Sequence, residues 1–175
     1  MSNLSTPGLK QLSKIFLIAT VMTTCVGCDQ AAKFVAKSFL RSDALISFAA
    51  DSLRLQYVEN SGAFLSLGST LPEPWRRLIF TVLVGIFLFG LLSYVLISRE
   101  LATRHIVCIS LVCGGGLSNL IDRIAYDGYV VDFLNVGIGP LRTGIFNLAD
   151  MAITMGALLW AVDSFRPSPK TATSP

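Results

Sequence analysis

The residues able to do acid–base chemistry are few and placed at boundaries. Asp29, Asn60, Asn119, Asp122, Arg123, Asp132, Asn147 and Asp150 stand at the ends of long apolar runs or in the segments that join them. Asp150 lies about two turns inside the last run, and Asp132 lies in the loop before it. Ionisable groups at membrane depth are costly and tend to face a cavity or a partner. Two carboxylates close together in a poorly solvated site cannot both ionise cheaply, so they share a proton. The ionised one draws a proton from a water while the protonated one hydrogen-bonds the carbonyl under attack. This is aspartic-protease chemistry, and it requires no metal, cysteine or histidine. A loop and two helical turns separate the two acids, a spacing that permits them to converge.

Plainer roles compete for the same residues. A salt bridge from Asp150 to Arg123 or Arg142 would pin two helices. Asp122 and Arg123 are adjacent, so on a helix they point apart and each needs its own partner. Gly114-Gly115-Gly116 favours close helix packing, with backbone approach to a bound peptide as the alternative. The single histidine, His105, excludes any triad or metal cluster built on several imidazoles. Cys25, Cys28, Cys108 and Cys113 all lie in apolar segments without further ligands at zinc spacing, and they read as structural.

The elements that must position these groups are membrane spans. Of the 175 residues, 53% are hydrophobic and only 14% charged, with a mean hydropathy of +0.64; a soluble domain carries about 25% charged residues. Residues 78–97 give twenty without a charge, 106–121 give sixteen and 15–28 give fourteen. The first of these is about the length that crosses a hydrocarbon core. Lys10 and Lys14 can snorkel and lengthen the run at 15–28. A last run spans 144–162 and carries Asp150. Four helices result, with both chain ends on one side and segments 29–77 and 122–143 on the other.

All the polar residues named above then fall on one membrane face. Lys and Arg number six on the side of the chain ends and eight on the other, so charge leaves the orientation open. The net charge of +3 is scattered and is no nucleic-acid footprint. Val26-Gly27-Cys28 after an apolar run imitates a lipoprotein signal, but three further spans follow it. A proton-coupled transporter would place polar residues across the whole bilayer depth, and the other halves of these spans are bland. A scaffold of salt-bridged helices remains the third reading.

Segment 29–77 is too long for a bare connector. Residues 29–40 read as a helix with Lys33, Lys37 and Arg41 spaced by four, which suits a helix lying at the membrane surface. Residues 53–57 alternate with period two, as a strand does, and Asn60-Ser61-Gly62 is a turn signal. A small extramembrane sheet is expected there.

Five motifs in order resemble the lipoprotein signal peptidases. They are Asp29-Gln30-Ala31-Ala32-Lys33, Asn60-x-Gly62-Ala63, Gly114-Gly115 through Asn119-x-x-Asp122-Arg123, Val130-Val131-Asp132-Phe133, and Phe146-Asn147-x-Ala149-Asp150. The resemblance implies an all-α integral membrane fold: four transmembrane helices, a small extramembrane β-cradle and a surface amphipathic helix in the first periplasmic loop. One domain would cover 1–166, with a disordered tail over 167–175. The implied activity is removal of the signal peptide from bacterial prolipoproteins, on the amino side of a diacylglyceryl-modified cysteine.

In this family the acids matching Asp132 and Asp150 form the catalytic dyad. Residues matching Asn60, Gly115, Asn119, Arg123 and Asn147 line the site, the one matching Asp122 supports it, and Asp29 and Lys33 belong to a structural motif. The implied location is the bacterial inner membrane, with cytoplasmic ends and a site facing the periplasm. The implied partners are lipid and modified prolipoproteins; no cofactor, nucleic acid or oligomer is called for. Two departures bear on substrate fit. Ser118 replaces the usual Gly before the Asn, which would narrow backbone approach, and Phe64-Leu65 replace Ala-Phe.

Overall fold

The computed structural model describes residues 7–40, 44–63 and 67–165. Four helices account for most of it. Helix α1 runs Pro7–Phe39, α2 Glu73–Ile97, α3 Thr103–Ala125 and α4 Leu148–Ser164. A π-helical stretch, Leu78–Leu83, interrupts α2. Three helices (α1, α2 and α3) are long and apolar enough to cross a membrane. The fourth, with 17 residues, is the shortest of the set. Many large apolar side chains point outward, among them Phe16, Phe87, Phe89, Ile97 and Leu158. In water such a surface would be an aggregation liability; in lipid it is the ordinary exterior.

Residues 29–39 are helical, as their pattern predicts, but they are no separate surface helix. They continue α1 without a break. Lys33, expected in a headgroup-facing stripe, and its neighbour one turn back explain the difference. Asp29 and Lys33 are buried at 0% and 4% exposure against α3, so the polar face of this segment is an interior face. Only Lys37 behaves as a surface cation, lying 4.3 Å from the centre of the Tyr126 ring. Arg41, Phe64-Leu65 and the tail 167–175 lie outside the described residues.

Helix α3 is the central member. Its buried side runs from Ile106 through Asp122 and Arg123, and Ile109 and Cys113 join Ile18 of α1 and Val95 of α2 in the apolar core. The three consecutive glycines of α3 each let a different helix in. A Cβ at Gly114 would meet Cys25 and the Met22 backbone of α1, one at Gly115 the Ala149 carbonyl of α4, and one at Gly116 the Leu88 side chain of α2. Successive helix positions are 100° apart, so a run of three glycines serves three neighbours. Close packing is therefore their role in this structure. Gly156 repeats the device on α4, where an added Cβ would lie 2.6 Å from the Cys108 carbonyl.

Outside the helices lies one four-stranded sheet in the order β1-β2-β3-β4, built from Leu45–Phe48, Leu53–Asn60, Val130–Ile138 and Leu141–Arg142. The predicted strand and the turn after Asn60 are both present. The third strand is not evident from its sequence, because both its faces are largely buried and it lacks clean alternation. Antiparallel pairing of β2 with β3 joins the two interhelical segments, setting Val58 opposite Asp132 and Asn60 opposite Val130. Phe133 packs with Ala36 and Leu40, seating the sheet on the far end of α1.

The glycine contacts generate a stability prediction. Gly156→Ala pushes α4 away from Cys108 and Leu111 and destabilises the detergent-solubilised protein by about 1–3 kcal/mol. Gly90→Ala, with nothing near its would-be Cβ, leaves thermal unfolding unchanged or slightly raises it.

Candidate active site

Lys33 is the buried cation around which the site is assembled. Its Nζ lies 2.7 Å from Asp29 Oδ2, one turn back on α1, and 2.8 Å from Asp122 Oδ2 of α3. It also donates to Asn119 Oδ1 at 2.9 Å. The two acids carry surplus negative charge that a single ammonium does not offset, and neutral donors take up the remainder. Asp29 accepts from Ser118 Oγ at 2.7 Å and from the Ala149 amide at 2.9 Å, in the first turn of α4. Asp122 accepts from Gln30 Nε2 at 2.8 Å and from the Val131 amide of β3 at 3.1 Å. Buried ions persist only when their remaining lone pairs are satisfied in this way.

Helix α4 begins at Asn147, whose φ of −130° keeps it outside the helix. Its Oδ1 accepts from the Asp150 amide at 2.9 Å, while Asp150 Oδ2 accepts from the Asn147 amide at 3.3 Å. This reciprocal cap turns the Asp150 carboxylate back over the helix start. The Asn147 side-chain nitrogen faces Asp132 Oδ1 at 2.7 Å, the Val131 carbonyl at 3.2 Å and Asn119 Oδ1 at 3.1 Å. The other Asp132 oxygen accepts from Asn60 at 2.9 Å. Asn119 donates to Asp150 Oδ1 at 2.9 Å.

One asparagine thus touches both acids, and a second connects Asp150 to Lys33. The two carboxylates reach the same place from a strand and a helix. Asp132 is 2% exposed, whereas Asp150 is half-buried. Burial pushes the Asp132 carboxyl up to about 7; the Asn60 hydrogen bond pulls it down, and the nearby Asp150 charge raises it further.

The remaining polar residues hold the frame. Arg123 donates to the Gly62 carbonyl at 2.9 Å, and Gly62 donates its amide to Asn60 Oδ1 at 2.9 Å, so the turn after β2 is tied to α3. The Arg123 Nε is buried without a hydrogen-bond partner among the described residues. Among these residues Asp150 makes no salt bridge with Arg123 or Arg142; the latter reaches Asn135 and Asp51 instead. Gly115 faces the Ala149 carbonyl and Ile153, bringing α4 close to α3 rather than lining an open space.

Asp122 and Arg123 do point to different partners, as their adjacency requires. Ser118 is directed at Asp29, so its hydroxyl belongs to the Lys33 cluster rather than to a surface for approaching backbone. Gln30, which also serves the cluster, directly follows Asp29 inside the turn that ends at Lys33, and that place in the motif is its only sequence signal. No group of three His, Cys, Asp or Glu suited to a metal occurs among the described residues. A cleft of about 310 Å³ opens beside Asp150, walled by Phe146, Met151, Thr154, Met155 and Leu158.

A family model described as signal peptidase (SPase) II matches residues 21–166, which hold every element of this site. The chain belongs to the signal peptidase II family. A "Lipoprotein signal peptidase" of Pelodictyon phaeoclathratiforme is 33% identical over 156 residues, covering 82% of this chain and 86% of that protein. One from Moorella thermoacetica is 31% identical over 160 residues, covering 91% and 99%, and one from Shigella flexneri is 32% identical over 157 residues, covering 88% and 90%. Two bacterial membrane enzymes solved by the in meso method share the fold. Their TM-scores are 0.75 and 0.70 at 24% identity, with 93% and 89% of this chain covered and 93% and 94% of theirs. Signal peptidase II proteins are proteases, and the membrane-capable helices seen here suit that family.

The Lys33 cluster makes its own prediction. Lys33→Met strands two buried carboxylates and costs about 3–5 kcal/mol, read as a large fall in thermal stability of the purified protein. Adding Asp29→Asn to it recovers part of the loss.

Proposed function

We propose that this protein is an aspartic endopeptidase that removes the signal peptide from bacterial prolipoproteins, with Asp132 and Asp150 as its catalytic dyad. The observation that carries the reading is the contact of Asn147 with both acids, through its side chain to Asp132 and its amide to Asp150. A water between the carboxylates is the nucleophile. The ionised member of the pair takes its proton as the oxygen attacks the scissile carbonyl, and the protonated member hydrogen-bonds that carbonyl. On collapse, the departing amine receives a proton from the dyad. The proton belongs to the pair, not to one residue.

Asn60, Asn119 and Asn147 fix the carboxylate planes, and Arg123 holds the Gly62 carbonyl and with it the turn after β2 at the edge of the site. Asp122 supports the arrangement through Lys33 and Val131, together with Asp29. Gly115 sets the depth of α4. The substrate is cut on the amino side of a cysteine carrying diacylglycerol, and the apolar cleft beside Asp150 suits a lipid-linked chain. All four helices cross the inner membrane as one domain over 1–166, both ends in the cytoplasm and the site toward the periplasm.

The test is cleavage of a diacylglyceryl-modified prolipoprotein in detergent. Asp132→Asn and Asp150→Asn each lower turnover by about 10²–10⁴-fold while unfolding at temperatures near the wild type. Folded variants that still cut would overturn the dyad.

The pH profile follows from the same geometry. A carboxyl raised to about 7 keeps its proton below that pH and loses it above, so cleavage declines as pH rises through the neutral range. Asn60 lowers the Asp132 value; Asn60→Ala therefore moves the alkaline limb of kcat/KM to higher pH. A limb that stays in place would show that Asp132 does not set it.

A further inference from the structure

The end of the molecule away from the acids carries a second feature. Two adjoining cavities of about 470 and 580 Å³ share Lys10, Lys14 and Arg99. They lie between the start of α1 and the segment joining α2 to α3. Their walls are otherwise mainly apolar, formed by Leu17, Leu96, Ile97, Leu101 and Ile106. Of the three cations, only Lys14 is engaged, donating to the Leu96 and Ser98 carbonyls at 3.0 and 2.5 Å and so closing the end of α2. Neither the Lys10 nor the Arg99 side chain has a hydrogen bond or ion pair among the described residues. The acids nearby do not serve them: Glu100 lines neither cavity, and Asp163 is taken by Arg104 and His105 at 2.7 and 2.6 Å.

Depth identifies what such a cleft meets. Lys10 precedes Asp29 by nineteen residues of unbroken helix, about 28 Å at 1.5 Å per residue, close to the thickness of a hydrocarbon core. The cations therefore sit at the opposite membrane boundary from the candidate active site. The surface beside them is apolar and outward-facing, with Leu12, Phe16 and Ile97 at 65%, 72% and 77% exposure.

From this arrangement we propose that Lys10 and Arg99 bind the phosphodiester of an anionic phospholipid at that boundary. Its acyl chains lie along the outer faces of α1 and α2. A free phosphate would answer the charge but not the apolar walls; a zwitterionic lipid would answer the walls but bring its own cation against Lys10. Basic pockets between spans are a recurrent way of holding such headgroups. This site is independent of the dyad and stands or falls without it.

The test is lipid retention by the full-length protein in mild detergent, read by native mass spectrometry after addition of phosphatidylglycerol or phosphatidylcholine. The wild type retains one phosphatidylglycerol in preference to phosphatidylcholine. Lys10→Gln with Arg99→Gln reduces that retention about 30-fold, as two surface cations would. Lys10→Arg with Arg99→Lys keeps it, and so does Lys37→Gln at the other end of α1. Thermal unfolding accompanies each variant, and the single Lys10→Gln change, at a side chain without partners among the described residues, still weakens retention should the double variant unfold. Equal retention of both lipids, an unaffected folded double variant, or displacement by soluble glycerol phosphate would each overturn the proposal.

Discussion

An ammonium group buried among carboxylates can be held only if every partner is fixed, and Lys33 imposes that condition on most of this structure. Its charge lies between Asp29 and Asp122, and those acids in turn require Ser118, Gln30 and the amides of Ala149 and Val131. The cluster therefore joins α1, α3, the start of α4 and strand β3 at one point. Apolar packing between helices is only weakly directional when lipid surrounds them. The ionic cluster supplies the register that such packing lacks, so the helices meet at one height and one rotation.

The two acids proposed for catalysis are held differently. Asp132 and Asp150 receive hydrogen bonds from neutral asparagine amides, with no cation in direct salt-bridge contact among the described residues. A cation on either would keep it ionised and remove the shared proton that the chemistry needs. Asparagine orients a carboxylate without adding charge, and its carbonyl passes the constraint onward: Asn119 accepts from Lys33 and donates to Asp150. Rigidity and charge are thus separated. Full charges lie one layer back, where they anchor helices, and neutral donors face Asp132 and Asp150.

The membrane sets the remaining division. Polar structure concentrates at the two ends of the helices, with the carboxylates and the sheet at one and Lys10, Lys14 and Arg99 at the other. Between them α2 presents an almost wholly apolar surface to lipid. The glycines of α3 and Gly156 of α4 let the helices approach within this layer, where few polar contacts are available to draw them together.

Much of this was legible in the residues themselves. The apolar runs announce helices because only a helix satisfies its own backbone in lipid, and acids and amides at the run ends mark the face on which the polar cluster forms. The ordered motifs from Asp29 to Asp150 carry the resemblance to the family to which the chain belongs. Local pattern did not determine the direction of Lys33. Lys33 and Lys37 share the spacing of a surface stripe, yet one is buried and the other exposed, because Asn119 and Asp122 approach α1 from far along the chain. Strand β3 was likewise hidden, since burial on both sides erases alternation. Its pairing with β2 brings Asp132 to Asn60, and the cap at Asn147 turns Asp150 toward the same place. Those contacts join residues distant in the chain, and only the packing of α1, α3 and α4 decided that they meet.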